Sequence, residues 1–251
     1  TTAPWLTVDV PSNNTASTEI YTIVYTLPLH DALTLTITDA LGAVQTVTAT
    51  VIAGGTYSVD VPAALAEGTF TVVATASDAA GNAATANDSG ALDITAPSLT
   101  VDAPALTNDS TPTITGTTNL PAGSIVTLTI TDALGAVQTV TATIVAGGTY
   151  SVDVPSALAE GAFTVVATAS DAAGNAATAN DSGALDITAP SLTVDAPALT
   201  NDSTPTITGT TNLPAGSIVT LTITDALGAV QTVTATVVAG GTYSVDVPSA
   251  L

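Results

Sequence analysis

The chain has 251 residues with 21 Asp and Glu, no Lys or Arg and no Cys, so its formal charge is −21 with the one His neutral. Without a cation to neutralise phosphate, nucleic acid and anionic membrane surfaces are excluded as partners, and without a thiol so are disulfides and thiolate metal sites. Carboxylates with no counter-charge favour hard divalent cations, calcium or magnesium ahead of zinc or copper.

No apolar run approaches the roughly 20 residues of a spanning helix, so no membrane insertion is expected in this segment. A Thr-Ala-Pro triplet recurs at Pro4, Pro97 and Pro190, each 93 residues after the last. Residues 97–158 and 190–251 differ only at Ile144 against Val237. This is a tandem array. The period predicts domains at 1–94, 95–187 and 188–251, the last stopping before its final two strands. Because the sequence opens and stops inside repeats, it reads as a fragment of a longer protein.

The first repeat departs from the others over about residues 17–33, where STEIYTIVYTLPLHDAL stands in place of STPTITGTTNLPAGSIV. Part of this stretch, residues 25–33, resembles a translated sequencing adapter, and no site is assigned to His30.

In the second repeat about seven short strands alternate with turn signals. The first carries Leu99 and Val101 and the second Ile114. The third, residues 125–131, points Val126, Leu128 and Ile130 inward. A turn at Asp132 to Gly135 leads to the fourth, residues 137–145, and Gly147-Gly148 makes a hairpin to the fifth, with Tyr150, Val152 and Val154 on one face. The sixth places Phe163, Val165, Ala167 and Ala169 on one side and Thr164, Val166, Thr168 and Ser170 on the other. The seventh spans residues 176 to about 186. No segment holds a helical period. The fold class is all-β: tandem immunoglobulin-like antiparallel β-sandwiches of about seven strands each.

Catalysis is not expected. Lys, Arg and Cys are absent, the single His is suspect, and the carboxylates sit in short turns with no aromatic cleft. The turns themselves are the informative feature. Loops of such a sandwich alternate between its two ends, which sorts Asp39, Glu67 and Asp93 to the carboxyl pole of the first domain, facing Asp171 and Asn175 of the second. The equivalent set at the next junction is Asp132, Glu160 and Asp186. Carboxylates converging without a cation repel, whereas calcium takes six to eight oxygens. The competing reading makes them ordinary turn residues that bond their own backbone.

Asp102 and Asp153 are expected to face outward as solubilising charges. The Thr-x-Thr rows at 127–131 and 139–143 read as exposed strand residues. Asn108-Asp-Ser110 and Asn180-Asp-Ser182 fit a glycosylation sequon and suggest surface loops.

The runs TAPSLTVDAPALTNDSTPTITGTT, GTYSVDVPSALAEG and FTVVATASDAAGN, in this order, resemble the bacterial Ig-like repeats of giant secreted adhesins and biofilm-associated proteins. The resemblance implies an extracellular spacer at the bacterial cell surface, exported by type I secretion, many of whose relatives are stiffened by calcium at inter-domain junctions. By position it carries that role to Asp93, Asp171 and Asp186, and to Asp39 and Asp132. It further implies that partners are calcium and neighbouring repeats, with any host or surface ligand bound elsewhere in the parent protein. The alternatives are a carbohydrate- or protein-binding module, for which Trp5 is the one surface aromatic candidate, and accessory repeats of a large secreted enzyme.

Overall fold

The computed structural model describes residues 32–52, 55–78 and 81–250. Trp5, His30 and most of the divergent segment lie outside the described residues. The chain divides into two compact units, Thr1–Asp186 and Ile187–Leu251.

The first unit contains two separate hydrophobic cores. Around one, β1 (Ala32–Thr38), β2 (Val44–Thr50), β3 (Gly68–Ser77) and β4 (Ala83–Leu92) form an antiparallel sheet in the order β2-β1-β3-β4. Around the other, β6 (Ile125–Thr131), β7 (Val137–Thr143), β9 (Gly161–Ser170) and β10 (Ala176–Leu185) form the matching sheet, β10-β9-β6-β7. A second layer pairs β5 (Thr113–Thr117) with β8 (Thr149–Asp153). The expected first strand joins β5 through single bridges, Leu99 to Thr118 and Asp102 to Thr115. Isolated bridges replace a continuous strand there, while Leu99 and Val101 still pack on the core. Among the described residues there is no helix.

The period-2 pattern places the core. In β9, Phe163, Val165, Ala167 and Ala169 are buried and the alternate residues are exposed. They meet Ile114, Tyr150 and Val154 of the opposite layer in one cluster. Each fully buried Phe, Val, Leu or Ile side chain contributes about 1.5–3 kcal/mol. Tyr150 lies across Gly116, where an added Cβ would come within 2.2 Å of the Thr100 carbonyl oxygen and 2.4 Å of the ring. Its hydroxyl donates to that carbonyl at 2.5 Å, and burial pushes the phenol up to about 12. This bond ties the first-strand segment to the layer.

The chain enters and leaves the second repeat at opposite ends. At the entry, the Ser98 N–H donates to Asn119 Oδ1 in the loop between β5 and β6. At the exit, Leu185 pairs with Gly161 at the start of β9.

The unit Ile187–Leu251 pairs β11 (Thr206–Thr210) with β14 (Thr242–Asp246) and β12 (Ile218–Thr224) with β13 (Val230–Thr236) around a smaller core.

Candidate metal centre at the repeat junction

The acidic turns are built by their own carboxylates. Asp132 opens a four-residue turn in which the Gly135 N–H donates to the Asp132 carbonyl at 3.0 Å, with Gly135 at φ 82° as such a turn requires. Its Oδ1 accepts from the N–H groups of Leu134 and Ala136 at 3.0 and 2.9 Å, and its Oδ2 from Ala159 at 3.2 Å. Asp39 repeats this with Leu41, Ala43 and Ala66 at 3.0, 2.8 and 3.1 Å. The N–H of Ala136 first, and of Ala43 for Asp39, holds each carboxyl below its ordinary value. The same bonds draw the loop before β9, or β3, onto the turn, so both lie at the carboxyl pole.

At the opposite pole of the second repeat, Asp171 Oδ1 accepts from Ala173 and Asn175 N–H at 3.0 and 2.9 Å. Its Oδ2 accepts from Asn175 Nδ2 at 2.9 Å. That same Nδ2 donates to the main-chain oxygen of Asp93 at 2.9 Å. One amide NH2 therefore sits between two oxygens, one from the linker and one from the β9–β10 turn. The Asn175 side chain is the leading cause of the lowered Asp171 carboxyl.

Beside this bridge, Asp93 Oδ1 accepts from the Thr95 N–H at 3.1 Å, and Glu67 Oε1 from the Thr95 hydroxyl at 2.7 Å. Thr95 is a junction residue that sequence reasoning missed; its signal was the Thr-Ala-Pro triplet, used only to count the period. Asp181 was missed too. Its Oδ2 accepts from the Ala103 N–H at 2.8 Å and pins the first-strand segment to the β10 edge, a bond that lowers its carboxyl.

At the second junction Asp132 is engaged as described. Glu160 and Asp186 are exposed, and the Asp186 N–H donates to the Thr107 carbonyl at 2.9 Å. Among the described residues, no three acidic or imidazole side chains gather closely enough to hold a metal ion by themselves. At the first junction the Asp93 carbonyl and the Asp171 carboxylate converge on the Asn175 NH2, which donates to both.

All the described aromatic side chains, Tyr57, Phe70, Tyr150, Phe163 and Tyr243, are buried, which leaves no stacking platform for a sugar among them. No helix of the described residues is long and apolar enough to cross a membrane.

Residues 12–95 and 91–195 match the bacterial Ig-like domain. The chain belongs to that family. Among solved structures, a tetra-tandem repeat in the extending region of a large adhesion protein is 38% identical, with 99% of this chain and 68% of that one covered and a TM-score of 0.40. A 1.5-MDa bacterial ice-binding adhesin is 25% identical over 98% of this chain and 86% of its own, with a TM-score of 0.47. A Ca2+-stabilised ice-binding adhesin of an Antarctic bacterium is 31% identical over 96% and 65%, with a TM-score of 0.40. At these TM-scores the superpositions add nothing to the argument for the fold, which stands on the family match and the strand pairings. No curated protein matches the chain.

Proposed function

We propose that these bacterial Ig-like repeats are a non-catalytic extender of a cell-surface adhesin, working outside the cell as a spacer divided at 1–94, 95–187 and 188–251. One observation carries the reading: the second repeat takes the chain in at one pole and releases it at the other. Each repeat therefore adds its own length, and its ten-residue strands span about 33 Å. Near-identical copies are what a part needs when its useful property is length.

The junction is a bridge that resists bending. Asn175 holds the linker through Asp93, and Glu67 holds it through Thr95. Calcium is the partner this junction favours, with Asp93, Asp171 and Asn175 as ligands, Asp39 and Glu67 at its margin, and Asp132, Glu160 and Asp186 at the next junction. Bound there, the ion neutralises carboxylates that have no Lys or Arg to face. Any host or surface ligand belongs to another part of the parent protein.

Small-angle X-ray scattering of the whole chain in millimolar calcium and then in chelator tests both parts. A spacer gives an elongated particle in either buffer, and calcium increases the maximum dimension. A compact particle in both buffers would overturn the extender. Elongated but identical curves would remove calcium and leave the spacer. Asn175→Ala shortens the maximum dimension in chelator if the amide bridge is what stiffens the linker.

A further inference from the structure

The two layers of the second repeat differ in charge, and every residue of that repeat is described. Asp102 and Asp153 stand exposed on the layer containing β5 and β8. Asp109, Asp132, Glu160, Asp171 and Asp186 lie in loops, turns and the linker, and Asp181 turns inward to Ala103. The outer face of β10-β9-β6-β7 carries no charge at all. Thr178, Thr168, Thr127 and Thr141 form one row across all four strands, and the rest of the face is Thr, Ser, Asn and Val with Ile125 and alanines, Ala176 and Ala184 among them. Val137 and Val166 on this face are 62% and 37% exposed. In the first repeat Thr85, Thr75, Thr34 and Thr48 form the same row.

We propose that this face docks a second copy of the chain, two spacers lying side by side and packed sheet against sheet. Charge selects the occupant. Two chains of −21 each repel wherever carboxylates meet, and here they meet none. The face supplies what a self-complementary surface uses, β-branched methyl groups that interlock and hydroxyls that donate and accept. Four strands of about seven residues cover roughly 19 by 23 Å, or about 440 Å² per repeat. A stable interface needs about 800 Å² per partner. One repeat is too small, so more than one must engage and association rests on repeat number.

The test is sedimentation equilibrium of the whole chain in chelator, at low and high salt. The expected result is a concentration-dependent dimer that tightens with salt as the remaining carboxylates are screened. Placing Thr75→Asp and Thr168→Asp together sets a charge in the middle of both faces and weakens the dimer by at least about tenfold. The pair Thr46→Asp and Thr139→Asp does the same from β2 and β7, should the first pair disturb folding. Thr115→Asp, on the charged layer, leaves the dimer unchanged. A monomer at all concentrations and salts, or a dimer equally tight in both face pairs, overturns the proposal. Because chelator is present throughout, loss of the calcium reading would leave this outcome unaffected.

Discussion

Residues 97–158 and 190–251 share one sequence but for a methylene group at Ile144 against Val237, and they fold to different degrees of closure. The strand pairs are the same: Thr113 faces Asp153 as Thr206 faces Asp246, and Ile125 faces Thr143 as Ile218 faces Thr236. The cores are not. Val126, Leu128 and Ile130 are all 0% exposed, whereas Val219 and Leu221 rise to 6% and 7% and Ile223 is only half-buried. Leu99 and Val101 pack on their core, while Leu192 and Val194 stand 58% and 66% exposed. Hairpin pairing is thus written in the local sequence, but the sealed core depends on β9 and β10, which come from later in the chain.

The largest effect should follow from erasing the difference. Appending the sequence of residues 159–186 after Leu251 supplies both strands, and the unit should gain its own cooperative unfolding transition of about 5–15 kcal/mol. Calorimetry checks this; no new transition would mean that the comparison has another cause. Next comes a matched pair of cavities. Leu128→Ala should cost about 2–5 kcal/mol in denaturant unfolding, and Leu221→Ala less than about 2, because its site is already open to collapse.

The smallest effect is electrostatic. Asp132 accepts three N–H bonds, including the one from Ala159, whereas Asp225 accepts from Leu227 and Ala229. Asp132→Ala should therefore lower Tm more than Asp225→Ala. The carboxyls of Asp39, Asp132, Asp171 and Asp181 are all lowered in the fold. Their contribution is complete above the ordinary value near 3.8 and is lost as pH falls through the lowered folded values. Acid titration should show full stability down to about pH 4 and a loss below it, with Asp132→Asn flattening that limb.

Much of the sandwich was legible because alternation is a local property. Val126, Leu128 and Ile130 face inward as their spacing dictates, and the 93-residue period fixes where each turn recurs. Two features escaped. The first strand reads as continuous but meets β5 at isolated bridges, Leu99 to Thr118 and Asp102 to Thr115, a break that alternation alone does not encode. The junction contacts escaped in part. Sorting loops to poles puts Asn175 near Asp93, yet which oxygen meets which N–H depends on side-chain directions that no spacing encodes. Asp39 and Asp132 show this: their place at the carboxyl pole follows from sorting the loops, but the N–H bonds by which their carboxylates close turns do not.

The register between β1 and β3, with Thr34 opposite Thr75, is the same as that between β6 and β9, with Thr127 opposite Thr168. A β3–β4 hairpin would therefore seat as well in the second core as in the first, and nothing in the side chains assigns a hairpin to its own repeat. Only timing does. A chain that emerges amino end first closes each sandwich before the next set of strands arrives, whereas a chain refolding all at once from denaturant has interchangeable parts to sort. Faithful assembly of this array is a property of its synthesis as much as of its sequence.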